Sequence, residues 1–276
     1  MIRIEEVFVS IGLIPADRQQ QIKELIIQRG VVRVNELSER FGVSVLTIRR
    51  DLDMLEQQGV LERSHGGAVR RQNLQVEPLF TQKEQLDTRE KQAIGAAAAA
   101  MIEEGDMVLI NSGSTTLQVI KALKEKRVTI ITTNIAAASI AQDAQFEIIF
   151  LGGKYRVQSH SSTGSFALMA LERIYANKVI IGVDGFSFTH GLTTPNLQEA
   201  EVARTMIERT VGTVIVTASS SKMGVVSNFK TTSVDKIDYL VTDAAARDFL
   251  TEQELQKAGI QLFWLIHNNM KYAVML

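Results

Sequence analysis

The sequence predicts a small α+β winged helix-turn-helix domain over residues 15–71, followed by an α/β domain with a mostly parallel sheet over residues 87–265. Three observations carry this. The stretch from Ser44 to Val69 reads as one amphipathic helix and a small β-wing. A shorter helix ends at Gly42, one residue before Ser44, which makes a tight helix-to-helix turn. Beyond Asp87, short apolar runs of strand type alternate with amphipathic helical pieces, the pattern of a parallel sheet covered on both faces.

In the first domain, Arg18 to Gly30 places Ile22, Leu25 and Ile26 on one helical face. Asn35 is expected to cap a short helix that buries Leu37 and Phe41 and stops at Gly42. Ser44 is expected to cap the next helix by accepting from backbone N–H groups of its first turn. On that helix Val45, Ile48, Leu52 and Leu55 form the stripe to be buried. Leu46, Thr47, Arg50 and Met54 face away, with Arg49 on the flank, and Gly59 suits the helix stop. Val60-Leu61 and Ala68-Val69 can pair around the Gly66-Gly67 turn. A helix offering Thr and Arg at its N-terminal end suits the DNA major groove. The candidate DNA-contact residues are Ser44, Thr47, Arg49, Arg50, Arg63, His65 and Arg70. Thr47 and Arg50 would meet base edges, and Arg49, Arg63, His65 and Arg70 would mainly hold phosphates.

Charge alone does not separate this from an ordinary three-helix core. Residues 15–72 hold ten Lys/Arg against eight Asp/Glu, a balance of +2. A formal net charge of −1 for the 276 residues argues against a polycationic nucleic-acid coat and fits a binder carrying a neutral regulatory domain. With no cysteine, disulfides, thiolate metal sites and cysteine nucleophiles are excluded. The four histidines lack metal-ligand spacing, so neither metal nor cofactor is expected. No apolar run approaches a membrane span, and Glu5 and Glu6 stand where a signal peptide wants positive charge. The chain is expected in the cytoplasm, with residues 1–14 an N-terminal extension and 266–276 a C-terminal tail.

Residues 72–86 are polar and contain Pro78, and read as an interdomain linker. Asp87 with Glu90 resembles a capping box opening the alanine-rich helix through Ala100. The strands expected are Met107–Ile110, Val128–Thr132, Phe146–Leu151, Lys178–Ile181, Thr213–Thr217, Ile237–Thr242 and Gln261–Leu265. Ligands of such sheets bind beyond the carboxyl ends of the strands. There the sequence places Ser112, Gly113, Ser114, Thr115 and Thr116 before a helix, which reads equally as a capped helix start or as an anion cradle. Thr133 and Asn134, the GGKYR run with Gly152 and Gly153, Asp184, Glu199 and Lys222 follow the other strands. Together they suit a phosphorylated polyol, with cations and cradle for phosphate and carboxylates for hydroxyls.

The spacing of Arg18, Ile22, Ile26, Ser44, Thr47, Ile48, Arg49, Asp51 and Leu52, and the wing ending HGGAV, resemble the DeoR family of bacterial transcriptional regulators. The resemblance runs from about Pro15 to Phe263 and implies DNA binding. It also implies a second domain similar to sugar-phosphate isomerases of the ribose-5-phosphate isomerase type, binding a phosphosugar effector. The matching effector positions are Ser112, Gly113, Ser114, Thr115, Thr116, Thr133, Asn134, Gly152, Gly153, Arg156, Asp184, Glu199 and Lys222. Asn111 and Ser219 stand where many members carry Asp.

The expected function is therefore a repressor of a carbohydrate-utilisation operon, a homodimer or homotetramer on operator DNA, modulated by a phosphorylated sugar. A phosphosugar isomerase with a DNA-binding module is the alternative, using Asp184 or Glu199 as base and Lys222 to stabilise an enediolate. A dinucleotide-binding redox sensor would need a Gly-x-Gly-x-x-Gly turn after a strand, which the sequence lacks.

Overall fold

The computed structural model describes residues 14–29, 31–57, 61–64, 66–70, 77–265 and 272–275. The chain divides into two compact units, Met1–Arg71 and Gln72–Leu276.

The first unit runs α1 (Pro15–Arg29), β1 (Val31–Arg33), α2 (Val34–Phe41), α3 (Val45–Gln57), β2 (Leu61–Ser64) and β3 (Gly67–Arg70). Its strands form an antiparallel sheet in the order β1-β3-β2. Ile22 and Ile26 of α1, Leu37 of α2, and Ile48, Leu52 and Leu55 of α3 are wholly buried in one cluster with Leu61 and Ala68 of the wing. Each fully buried Leu or Ile contributes roughly 1.5–3 kcal/mol, so this cluster holds the unit together. Gly42 ends α2 in the left-handed conformation.

Two expectations about helix starts are corrected here. Asn35 does not cap α2: the helix begins at Val34, and Arg33 precedes it with no side-chain cap, because β1 pairing fixes the entry to the helix. Val45 is 36% exposed, so the buried stripe of α3 begins at Ile48. Ser44 does cap α3, its Oγ accepting from the Thr47 N–H at 3.1 Å. Gly59 and Val60 lie outside the described residues.

The second unit opens with α4 (Phe80–Gln85), α5 (Thr88–Ala100), β4 (Met107–Ile110), α6 (Ser114–Ala122), β5 (Thr129–Thr132) and β6 (Glu147–Phe150). It continues with β7 (Lys154–Arg156), β8 (Ser161–Thr163), α7 (Ser165–Leu171), β9 (Ala176–Gly182), β10 (Gly185–Ser187) and β11 (Gly191–Thr194). It closes with α8 (Leu197–Glu208), β12 (Thr210–Thr217), β13 (Phe229–Thr232), β14 (Tyr239–Thr242), α9 (Glu252–Ala258), β15 (Gln261–Leu265) and β16 (Tyr272–Met275). The main sheet has the order β16-β15-β14-β12-β9-β4-β5-β6 and is parallel except for the β15–β16 pair.

The period-two alternation of side chains divides the core between the two sheet faces. Val108, Ile110, Ile130, Ile180 and Ile215 join one cluster with α5 and α6, whereas Leu109, Ile131, Val179, Ile181 and Val216 join another with α7 and α8. The chain leaves β4 toward β5 and β6, then returns to β9 on β4's other side. The strand order reverses at β4, and the crevice at such a switch point is where open α/β sheets bind ligands.

Three further segments differ from the sequence expectation. Residues 77–86, read as the end of a linker, are built into the second unit: Phe80 is buried, and its N–H donates to the Gln158 carbonyl at 2.6 Å. Of its three large apolar side chains, Leu79, Phe80 and Leu86, only Phe80 is buried, so the segment carries no buried stripe to read. Residues 272–275, read as tail, pair antiparallel with β15 as the edge strand β16. Asp87 is in the left-handed conformation and makes no side-chain cap to α5, because its carboxylate accepts instead from Ser221 at 3.0 Å and Ser219 at 3.3 Å.

Candidate functional site

In the first unit the N-terminal half of α3 projects its polar side chains outward. Arg49 and Arg50 are exposed, and among the described residues neither guanidinium has a hydrogen bond or ion pair. Thr47 is partly exposed, and its hydroxyl bonds Ser44 Oγ at 2.9 Å. Arg63 is more committed: its Nε pairs with Asp53 at 3.1 Å and its Nη1 donates to the Gly67 carbonyl at 3.1 Å. It braces the wing against α3 while staying a quarter exposed. His65 lies outside the described residues; Arg70 is the last residue of β3.

Beneath that face lies a device whose residues the sequence marked without explaining. Arg18 of α1 donates Nε to Asp51 Oδ2 at 2.6 Å and Nη2 to Oδ1 at 3.2 Å, with both side chains almost wholly buried. Gln19 Nε2 adds a third donor to Asp51 Oδ1 at 2.9 Å. The pair fixes α3 to α1 and so sets the rotation at which Arg49 and Arg50 are presented.

In the second unit the carboxyl ends of β4, β5 and β9, the β7–β8 hairpin, β11 and the start of α8 converge on a polar pocket. The space open to the centre of a water-sized sphere is about 30 Å³, more than the roughly 10–15 Å³ that one water needs on that measure. Ser112, Thr133, Asp184 and Glu199 line it, as do Asn111, Ser161, Ser162 and Thr194. Asn111 spans the switch point: its Nδ2 donates to the Gly182 carbonyl at 2.9 Å and its Oδ1 accepts from the Gly182 N–H at 2.8 Å. An aspartate there could only accept, which accounts physically for the amide.

The Ser112–Thr116 loop is tied to its surroundings. Ser112 Oγ donates to the Ser159 carbonyl at 2.9 Å, and Thr116 Oγ1 turns back to the Asn111 carbonyl at 2.8 Å. Asn134 Nδ2 holds the Gly113 carbonyl at 3.1 Å, while its Oδ1 is buried without a partner among the described residues. Ser114 is buried and Thr115 partly exposed at the first turn of α6. Gly152 is exposed, and Gly153 (φ 148°) lies so near the Thr163 carbonyl that a Cβ would meet its oxygen at 2.4 Å.

The charged groups form a chain. Asp184 Oδ1 accepts from Lys83 Nζ at 2.7 Å and Oδ2 from Thr194 Oγ1 at 3.0 Å. Burial pushes the Asp184 carboxyl up, but the Lys83 and Lys222 charges outweigh it and leave the pKa below its ordinary value. Burial likewise opposes the Lys83 ammonium, yet Asp184 holds its pKa above the usual lysine value. Lys222, in the turn after β12, has its pKa lowered by burial and by Lys83 against the pull of Asp184 and Asp87. Arg156 binds two carboxylates, Glu199 through Nε at 3.3 Å and Glu77 through Nη2. Ser161 Oγ donates to Glu199 at 2.7 Å. Glu77 has its pKa raised, first by burial and then by repulsion from Glu199.

The structure thus gathers Ser112, Thr133, Asp184 and Glu199 on one pocket and links Arg156 and Lys222 to it through charge. Glu77, Lys83 and the Ser161-Ser162-Thr163 run were missed from the sequence. The signal for the last was a string of hydroxyls after GGKYR; Glu77 and Lys83 sat in the segment taken for linker.

An exposed pair of arginines on the third helix of a winged helix-turn-helix, joined in one chain to an α/β unit with a polar pocket at its switch point, defines a transcriptional regulator. Residues 18–73 match the model of the DeoR-like helix-turn-helix domain, and residues 86–244 that of the DeoR C terminal sensor domain. The chain belongs to the DeoR family of transcriptional regulators. It is 33% identical over 252 residues to a putative aga operon transcriptional repressor of Escherichia coli O157:H7, covering 90% of this chain and 93% of that one. It is 32% identical over 249 residues to the HTH-type transcriptional regulator GlpR of Haloferax volcanii, covering 90% and 97%. These relatives are regulators, not enzymes. Among solved structures, it resembles a probable sor operon regulator from Shigella flexneri at TM-score 0.40 and 11% identity, over 71% of this chain and 96% of that one. Ribose 5-phosphate isomerase A from Methanocaldococcus jannaschii is similar at TM-score 0.35 and 16% identity, over 48% and 52%. No helix among the described residues is long and apolar enough to cross a membrane.

Proposed function

We propose that this chain is a repressor of a carbohydrate-utilisation operon whose affinity for operator DNA is set by a phosphorylated sugar bound at the switch-point pocket. The observation that carries the reading is the convergence there of two carboxylates, Asp184 and Glu199, with hydroxyls, Arg156 being paired to Glu199 and Lys222 lying within the electrostatic reach of Asp184. The carboxylates accept from sugar hydroxyls, and the cations with the first turn of α6 receive the phosphate. That one relative is a putative aga operon transcriptional repressor accords with this. For the sugar to change occupancy it must prefer one DNA-affinity state by about 1–3 kcal/mol. On this reading Thr47 and Arg50 meet base edges, and Ser44, Arg49, Arg63, His65 and Arg70 position the backbone. A homodimer or homotetramer reads repeated half-sites in the cytoplasm.

Two variants test the two halves separately. Arg50→Ala is expected to relax base preference at one half-site position, a loss of about 1–3 kcal/mol for a bidentate arginine–guanine pair, with sugar-phosphate binding intact. Gel shifts on an operator library check it, and unchanged specificity would show that this helix does not read bases. Ser114→Ala with Thr115→Ala is expected to abolish the effector response while operator binding persists. Induction surviving in that double variant would place the phosphate elsewhere.

A further inference from the structure

Resting on the sensor reading above, we propose that residues 77–85 are a displaceable strap, an internal stand-in for the effector that the phosphorylated sugar must evict. The strap offers one charge of each sign to the site. Glu77 gives its carboxylate to Arg156, the guanidinium beside Glu199, and Lys83 gives its ammonium to Asp184. Those are the two roles the ligand would fill: an anion on arginine and hydroxyl hydrogens on a carboxylate.

The strap holds its place at a disadvantage. Glu77 Oε1 is buried without a hydrogen-bond partner among the described residues, and a buried acceptor left unmet is costly. The same carboxylate faces Glu199 across a single guanidinium, and their repulsion adds to the cost of burial. Its apolar anchorage is small: Phe80 is buried and stacks on His160 at 4.8 Å, but Leu79 and Leu86 on either side of α4 are 42% and 53% exposed. At its far end Lys91 Nζ donates to the carbonyls of Lys83 and Leu86. A phosphate dianion can satisfy Arg156 with several oxygens, and a polyol can satisfy Asp184 without an ammonium. Entry of both would free the strap. The strap lies near the N-terminal end of the second unit, which begins at Gln72.

The test follows amide hydrogen exchange over residues 77–86 in the full chain, alone and with millimolar ribose 5-phosphate, fructose 1-phosphate, glucose 6-phosphate or inorganic phosphate. Thermal shift reports in parallel whether each probe binds. A binding sugar phosphate is expected to speed exchange across the strap while slowing it around Ser112–Thr116. Glu77→Gln, which removes the competing charge, is expected to lower the apparent Kd about tenfold, as when a mostly closed state is opened. A sugar phosphate that stabilises the wild-type chain yet leaves the strap equally or better protected would overturn the strap and leave the sensor reading standing. If no probe stabilises either form, both readings fall together.

Discussion

Asp51→Ala is expected to cost the winged unit about 3–5 kcal/mol, the loss typical of removing one partner from a buried ion pair. Such a loss rivals the whole stability of a small domain, roughly 5–15 kcal/mol, so operator binding should disappear at growth temperature. The carboxylate accepts from Arg18 twice and from Gln19 once, at 3.2 Å or less, with 5% of its side chain exposed. Alanine leaves the buried Arg18 guanidinium without this carboxylate and opens a void between α1 and α3. The diagnostic comparison is Arg18→Met with Asp51→Leu: replacing both charges by apolar groups of similar size should cost far less than either single change. Denaturant unfolding of the variants checks this. A single substitution costing under about 1 kcal/mol, the level of a surface ion pair, would show that the pair does not hold the helices together.

Gly95→Val should cost the second unit at least about 1–3 kcal/mol, the range for forcing extra methyl groups into a packed contact. Gly95 lies inside α5, where glycine is about 1 kcal/mol worse than alanine by helix propensity alone. Packing explains it: a Cβ would meet the backbone carbonyl carbon and the Cβ of Gln118 at 2.7 Å each. The colliding atoms belong to the middle of α6, not to the end of a flexible side chain, so one helix must move. Displacing α6 also moves its first turn, which begins at Ser114. Thermal unfolding should therefore shift down together with weaker sugar-phosphate binding. A variant as stable as the parent would show that the two helices can separate without consequence.

Much of the architecture could be read from the chain, because its large elements carry strong hydrophobic periods. Met107–Ile110 was marked as a strand residue for residue, and α8 begins at Leu197 as expected. The pieces that escaped were short and polar. The strands KYR, SST and GLTT have no apolar alternation, and each forms because a neighbour offers its backbone groups. The same holds for β1, which pairs with the wing, and for α4, whose one buried side chain is Phe80.

The site divides in the same way. Asp184 and the Ser112–Thr116 loop were visible because they follow β9 and β4, and a parallel sheet places the carboxyl ends of its strands on one side; Arg156 and Glu199 lie in or after the short antiparallel strands β7 and β11. That Asp184 is held by Lys83 and Arg156 by Glu77 was not visible, since the members of those pairs lie 101 and 79 residues apart in sequence.

Local pattern by itself determined the long apolar helices and the parallel strands of the main sheet, which face of α3 is buried from Ile48 on, and on which edge of the sheet the polar residues gather. These follow from side-chain period and strand direction, properties each segment carries alone. Only the folded chain decided which charge meets which, because an ion pair depends on the few ångströms between groups distant in sequence. That is how Arg18 comes to clamp α3, and how Glu77 and Lys83 come to meet Arg156 and Asp184.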